Sequence, residues 1–594
     1  MKQTICHYLT TLLPETTEEQ LFTFLETPPE ASMGDFALPC FSFAKALRKN
    51  PKLIAEEVKA GLEEKAEVLG IEKVEAVGGY CNIFLDRAAY VKQCITLVMQ
   101  KNHGINQPGV GKTICMDYSS PNIAKNFHVG HLRTTVIGNS LYKIYEKLGY
   151  HVERINHLGD WGTQFGKLIV AYKKWSSKES VEEKGIEELM QIYVKFNQEA
   201  KEDETLMDEA RSWFVKMEQN DEEALALWNW FKDISLKEFE RVYELLGISF
   251  DSYTGESFYR EKVPALVEEL KEKKLLTESQ GAHVIDLSEY DMPPCLITKS
   301  DGGSIYHSRD IAAVLYRKKT YDFEKCLYVT GLEQTLHFKQ VFTAVKVMGY
   351  AWAEDSLIHV PYGLVSLAGA KLSSRSGNIV YAEDILREAM ERAMSAIQCK
   401  NPNLANKEET AKMVGVGAVI FHDLFNQRIK NVDFNWEDVL SFEGTTGPYV
   451  QYTYARAKSI LRKNEENLGK VSGEEEKASG KMVKTQSEAV DNQNSQQKKE
   501  NCYEYLTDDA AYALVKTLAG YEAAVLGAAE RYEPSVVARY IISVASAFNK
   551  FYHECPILNA SEEEKRARLA LVDAVQLVLK DACGLLGMEC PEEM

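Results

Sequence analysis

The segment from Thr113 to Ile155 constrains this chain most. Thr113-Ile114-Cys115-Met116 is a short apolar strand, followed by a polar loop at Ser119-Ser120-Pro121-Asn122. A helix comes next, with Leu132, Val136, Leu141, Ile144 and Leu148 at helical spacing and Gly149 closing it. His151 to Ile155 then resumes as a strand. Strand, helix, strand is a βαβ crossover, and it points to a parallel sheet with helices on its faces. In doubly wound sheets nucleotides bind where a helix starts at the C-terminal end of a parallel strand, because unpaired backbone N–H groups and the helix dipole favour phosphate there.

Here that junction reads Ser119-Ser120-Pro121-Asn122-Ile123-Ala124-Lys125-Asn126-Phe127-His128-Val129-Gly130-His131. His128 and His131 are three apart in the first turn, so they share one side, and Gly130 leaves room for close ligand approach. Two imidazoles aimed at a nucleoside triphosphate can donate hydrogen bonds to the α-phosphate as charge redistributes in the transition state. The competing readings are a helix cap and a zinc pair, the latter without a third ligand at a suitable spacing.

At 594 residues the chain is too long for one domain. Residues 1–110 read as an α+β unit, with Leu21, Phe22, Phe24 and Leu25 on one helix, Phe43 to Ala60 on another, and a hairpin from Val74 to Leu85 around Gly78-Gly79. The crossover opens a core over 111–380, interrupted by a charged helical insertion at about 173–290. Further sheet-like segments fall at Cys295–Thr298, Leu327–Thr330 and Ile358–Val365. A helical connection follows over 381–445, then a helical C-terminal unit over 446–594. Within the latter, 464–501 has almost no apolar residues and reads as a disordered loop.

Sixty-nine Lys and Arg against 88 Asp and Glu give a net charge of −19, which argues against a histone-like protein but not against a local nucleic-acid surface. Twelve scattered cysteines with no Cys-x-x-Cys pair suggest neither a zinc ribbon nor a disulfide framework. No apolar run approaches a membrane span and the first residues open no signal peptide, so a cytoplasmic protein is expected.

The run His128-Val129-Gly130-His131 resembles the paired-histidine motif of class I aminoacyl-tRNA synthetases. The longer string SSPNIAKNFHVGHLRTT, followed by Asn156-His157-Leu158-Gly159-Asp160-Trp161-Gly162, resembles the arginyl-tRNA synthetase family. The likeness extends over nearly the whole chain, including Gly447-Pro448-Tyr449-Val450-Gln451-Tyr452 and Gly584-Leu585-Leu586-Gly587-Met588. It implies a Rossmann-like, doubly wound catalytic core, an N-terminal α+β domain that contacts the tRNA elbow, and a C-terminal helical anticodon-binding domain. The implied activity is ATP-dependent formation of arginyl-adenylate and transfer of arginine to the terminal ribose of tRNA(Arg). The implied partners are L-arginine, ATP with its Mg2+, and tRNA(Arg), with the chain acting as a monomer.

The same resemblance implies roles for particular residues. His128, Gly130 and His131 would meet ATP, joined by Lys371, Ser373 and Arg375 from Lys371-Leu372-Ser373-Ser374-Arg375, a degenerate form of the class's second, lysine-bearing loop. That loop has Ser374 where its second lysine belongs, and Lys125, three residues before His128, is a candidate to replace the charge, with Arg375 as a second. A guanidinium is best read by a carboxylate accepting paired hydrogen bonds. Resemblance assigns this to Asp310, with Tyr306 and Gln334, and sets Ser120, Asn122 and His131 near the amino acid's backbone groups. From the residue alone, the favoured reading of Asp310 is an Asp serving the dipole in the first turn of a helix, and it is the resemblance that turns it toward the substrate. Tyr449, Tyr452 and Arg456 share a helix face suited to tRNA, or to packing. The alternatives are a class I synthetase for another amino acid, which should lack the Tyr306 and Asp310 set, and a non-catalytic tRNA-binding paralogue, which should have lost His128, His131 or Lys371.

Overall fold

Residues 1–299, 305–367, 370–371, 380–478 and 502–594 are described by the computed structural model of the chain. They form two compact units, one of Met1–Gly104, Ala457–Gly520 and Val544–Val578, the other of Ile105–Arg456, Tyr521–Ser543 and Leu579–Met594.

The first unit holds a three-stranded antiparallel sheet. Ile71–Val77 and Tyr80–Leu85 pair as a hairpin, because Gly78 and Gly79 supply the two positive φ angles (64° and 99°) that a two-residue turn requires. Phe36–Pro39 pairs along the other side of Tyr80–Leu85. Helices Lys2–Leu12 and Pro51–Glu64 bury Ile5, Leu9, Ile54, Val58 and Leu62 in one core with Val74, Cys81 and Ile83. The single helix expected from Phe43 to Ala60 is instead two, Phe41–Leu47 and Pro51–Glu64. Pro51 cannot donate back into a preceding turn, so it begins a new helix, and Asn50 caps it by accepting the Lys52 N–H at 3.0 Å. Helix Arg87–Val98 packs on Asp509–Ala519, with Arg87 2.9 Å from Asp509 and the Tyr90 ring edge-on to Tyr512.

The second unit carries a four-stranded parallel sheet. Its spatial order is Leu357–Tyr362, Lys325–Gly331, Thr113–Asp117, His151–Ile155. The winding reverses between Thr113–Asp117 and Lys325–Gly331, so the crevice beyond their C-terminal ends is a topological switch point. Helix Val129–Lys147 makes the first crossover. Helices Tyr306–Tyr321 and Thr335–Val347 bury Ile311, Val314, Val341 and Val345 in one cluster with Cys115, Cys326 and Tyr328 of the strands.

Cys295–Thr298 is a strand, but it belongs to a separate antiparallel sheet with Leu276–Ser279 and Ala282–Ile285. The insertion is therefore helical only to Glu272; a hairpin follows, turned by Gln280 and Gly281 with φ of 53° and 79°. Between 381 and 445 the helices are joined by a strand, Val432–Phe434, which pairs in parallel with Val365–Leu367.

The helix starting at Gly447 runs on to Ala478, across residues 464–478 where composition suggests a loop. Val450, Tyr454, Ala457 and Ile460 are buried and nucleate it. The Glu, Lys, Leu and Ala that follow propagate a helix without needing apolar surface. The remainder of that stretch, 479–501, lies outside the described residues. No helix among the described residues is long and apolar enough to cross a membrane.

Candidate active site

The first turn of helix Val129–Lys147 fixes both histidines through its own unpaired donors. Gly130 N–H donates to His128 Nδ1 at 3.0 Å, and His128 N–H donates to His131 Nδ1 at 3.3 Å. With both Nδ1 atoms acting as acceptors, each ring carries its proton on Nε2, and among the described residues neither Nε2–H has a hydrogen-bond acceptor, so each can serve a ligand. The rings stack with centroids 3.8 Å apart. A Cβ on Gly130 would lie 2.9 Å from the His128 ring, so this glycine makes room for the imidazole. The capping and phosphate-facing readings of these residues are thus compatible: the cap selects the tautomer.

Burial holds the His131 imidazole well below its ordinary value, and the charges of His128 and Lys125 act in the same direction. Burial, then Lys125, lowers His128 as well, against a backbone hydrogen bond that raises it. Both are neutral donors near pH 7. Because the folded values lie below the unfolded 6.5, stability from this turn is full above about pH 6.5 and is lost as pH falls through the lowered folded values. Thermal midpoints across pH 5–8 should show this loss, and His131→Asn, whose side-chain oxygen still accepts the His128 N–H, should reduce it. An unchanged acid limb in that variant would contradict the assignment.

The loop before the helix is strained. Ser119, Ser120 and Ala124 have φ of 71°, 45° and 57°, a left-handed conformation that costs non-glycine residues energy and persists only when the surroundings impose it. Much of that restraint comes from the insertion helix Glu222–Leu246. Its Tyr243 hydroxyl lies 2.7 Å from Ser119 Oγ and accepts from Asn156 at 2.9 Å, and its Ser235 accepts the Ala124 N–H at 3.0 Å. Asn122 forms a parallel bridge with Gly159, where a Cβ would come within 2.2 Å of the Asn122 side chain. Ser120 Oγ donates to Asp117 Oδ1 at 2.8 Å.

Asp310 is on the second turn of helix Tyr306–Tyr321, not the first, and among the described residues its carboxylate caps no backbone N–H. Ser308 accepts the Ile305 N–H at 3.1 Å instead. Asp310 Oδ2 accepts from His337 Nε2 at 2.6 Å, and Oδ1 lies 4.0 Å from His157 Nε2. Burial alone would raise the carboxyl, but the His337 hydrogen bond and the charges of His337, His157 and Arg317 hold it below its ordinary value. Tyr306, one turn earlier, is 62% exposed, with the Arg309 guanidinium over its ring. Gln334 is exposed at the end of the short turn Leu332–Gln334, directly after strand Lys325–Gly331 at the switch point.

Sequence reading misses the support beneath these residues. Arg317, fully buried, pairs with Asp117 at 2.8 Å and donates to His157 Nδ1 at 3.1 Å. Asp160, also fully buried, accepts from Lys232 at 3.0 Å and from Ser257 Oγ at 2.7 Å, and Glu256 pairs with Arg309. The sequence signal available was an acidic residue, Asp117, ending an otherwise apolar strand.

Lys371 lies in strand Ala370–Lys371, paired with Val365–Leu367. Ser373, Ser374 and Arg375 lie outside the described residues. Where the chain returns, the Val129 N–H bonds the Val380 carbonyl at 3.2 Å and the Ala382 N–H bonds Phe127 at 2.9 Å, tying that end to the histidine turn. On helix Gly447–Ala478, Tyr452 is exposed with Arg456 4.9 Å over its ring, while Tyr449 is half-buried.

A parallel sheet whose switch point bears a paired-histidine helix start is the catalytic architecture of a class I aminoacyl-tRNA synthetase, and the model of the class I (R) tRNA synthetase catalytic domain matches residues 93–436. The arginyl-tRNA synthetase N-terminal domain model matches 1–85 and the DALR anticodon-binding domain model 450–594. The chain belongs to the arginyl-tRNA synthetase family. It is 51% identical to an arginine–tRNA ligase of Clostridium acetobutylicum over 97% of each chain, and 48% identical to one of Alkaliphilus metalliredigens over 100% of this chain and 99% of that one. The solved arginyl-tRNA synthetase of Thermus thermophilus superposes with a TM-score of 0.79 at 25% identity, each chain covered completely.

Proposed function

We infer that the chain is an arginine–tRNA ligase, and the observation that carries this reading is the pair of neutral Nε2–H donors at the switch point of a class I sheet, with Asp310 on a helix of the same unit. Arginine's carboxylate attacks the α-phosphate of ATP, forming arginyl-adenylate and releasing pyrophosphate. The terminal ribose of tRNA(Arg) then attacks the activated carbonyl and AMP leaves. Neither step needs a covalent protein nucleophile, because positioning and charge stabilisation suffice. His128 and His131 donate to the phosphate, Gly130 gives the His128 ring space, and Lys371, Ser373 and Arg375 bind the triphosphate. Mg2+ enters with ATP as part of the substrate.

Arginine is held by Asp310, Tyr306 and Gln334 at its guanidinium and by Ser120, Asn122 and His131 at its backbone end. Residues 1–110 meet the tRNA elbow and residues 446–594 the anticodon stem and loop, where Tyr452 and Arg456 offer a ring and a cation to RNA. The core over 111–380 and the connection over 381–445 lie between them in sequence. The enzyme works as a cytoplasmic monomer.

ATP–pyrophosphate exchange across the amino acids, with and without tRNA, tests the reading. Arginine alone should support exchange; exchange with another amino acid, or with none, would reject it. In the same assay Lys125→Ala should slow activation by about tenfold to a hundredfold with arginine KM nearly unchanged, since its charge reaches both imidazoles and would stabilise the phosphates. Near-normal activation in that variant would remove Lys125 from the site.

A further inference from the structure

Asp310 is flanked by histidines from two other elements, and the direction of each hydrogen bond can be worked out. Arg317 can only donate, so His157 Nδ1 accepts from it at 3.1 Å and the His157 proton sits on Nε2, on the side of Asp310. The ionised Asp310 carboxylate can only accept, so His337 Nε2 carries the proton of the 2.6 Å bond to Oδ2. The His337 ring is in turn packed against His307, with centroids 4.5 Å apart. His307 is itself committed elsewhere. Gln340 spends its amide N–H groups on the Pro293 and Pro294 carbonyls, at 2.9 Å and 3.2 Å, so its oxygen faces His307 Nε2 at 3.2 Å and accepts from it.

These contacts leave the two oxygens of Asp310 unequal. Oδ2 is gripped by a short bond, whereas among the described residues no donor lies within hydrogen-bond distance of Oδ1, and His157 Nε2 stands 4.0 Å from it. An aspartate's terminal torsion is broad, so a carboxylate without such a bond rotates readily. A planar two-nitrogen fork needs the carboxylate plane fixed, because both parallel N–H···O bonds form only in one plane. One bond to Oδ2 fixes the plane and still leaves a lone pair on Oδ2 and both on Oδ1.

We propose that His337 is a positioning residue for arginine specificity, orienting the Asp310 carboxylate toward the substrate guanidinium without touching the substrate itself. This rests on the reading of Asp310 as the guanidinium receptor. His337 lies three residues after Gln334, in the first turn of the helix that follows the switch-point strand, so the bond links that strand's exit to the helix carrying Asp310.

The test is arginine-dependent pyrophosphate exchange by the full-length protein with tRNA present, comparing His337→Ala, His337→Phe, His337→Asn and Asp310→Asn. Losing a hydrogen bond to a charged group should raise the arginine KM about tenfold to a hundredfold in both His337→Ala and His337→Phe, with kcat and the ATP KM within about twofold. Phe keeps the ring's volume without a donor, which separates packing from the bond. His337→Asn restores an N–H and should recover most of the arginine KM. Combining His337→Ala with Asp310→Asn should be no worse than Asp310→Asn alone, since the two act through one contact. An unchanged arginine KM in His337→Phe, or an Asn variant no better than Phe, overturns the proposal. If Asp310→Asn raises the arginine KM while the His337 variants do not, the assignment of His337 fails and that of Asp310 stands. If Asp310→Asn itself leaves the KM unchanged, the reading of Asp310 fails.

Discussion

Asp310→Ala should raise the KM for arginine by about thirtyfold to a few thousandfold while leaving that for ATP close to its starting value, the equivalent of about 2–5 kcal/mol for a lost charge-assisted pair. The structure frees this carboxylate from capping duty: Ser308 serves the helix start, and among the described residues the hydrogen bond to Asp310 comes sideways, from His337. Truncation therefore removes a negative group and the tie to His337 while leaving the helix start capped. Steady-state exchange kinetics at saturating ATP and tRNA measure it. An equal rise in both KM values, or a fall in thermal midpoint that parallels the loss of activity, would show that Asp310 serves the fold instead of the substrate.

Arg317→Met is the second large effect, and it acts first on stability. Arg317 is fully buried and pairs with the largely buried Asp117 at 2.8 Å. Removing one member of a buried pair strands the other's charge, at a cost of about 3–5 kcal/mol. Thermal denaturation should show the catalytic unit unfolding much earlier. Adding Asp117→Leu should recover much of the loss, since replacing both charges with apolar groups is far less costly than removing one. Activity should not recover with it. Asp117 also accepts from Ser120, and Arg317 sets the tautomer of His157, so the double variant loses two supports of the site. A fully active double variant would show that the pair serves stability alone.

The crossover and the histidine pair were legible because each is local. A change from apolar run to helical period marks the junction, and a loop of polar residues at that junction leaves the helix donors open. Features that depend on distant partners were not. Cys295–Thr298 reads as a strand from its own residues, yet nothing in those residues says that its partner is Ala282–Ile285 rather than the parallel sheet. Asp310 reads as a helix-start carboxylate because its actual partner, His337, is 27 residues away on another helix. The Arg317–Asp117 pair joins two elements distant in sequence, and its one local trace is the acidic residue Asp117 ending an otherwise apolar strand. The single helix expected across Phe43 to Ala60 is a different kind of miss: Pro51 was in view, and its effect on the preceding turn outweighs the apolar periodicity on either side.

The grip of helix Glu222–Leu246 on the loop ahead of the histidines has a consequence for anyone trimming or recombining this chain. By sequence the insertion is a charged helical stretch set between two halves of a sheet. By structure it also supports the loop ahead of the histidines, because Tyr243 and Ser235 contact the left-handed residues Ser119 and Ala124. A minimal version with the insertion cut out would keep both histidines, their capped turn and the parallel strands, and lose two of the contacts that hold the loop ahead of them. A graft in its place would have to bring hydroxyls to the same two points, since Thr134 and Thr135 of the histidine helix hold Ser119 from the other side but, among the described residues, nothing on that helix takes over the Ala124 N–H from Ser235.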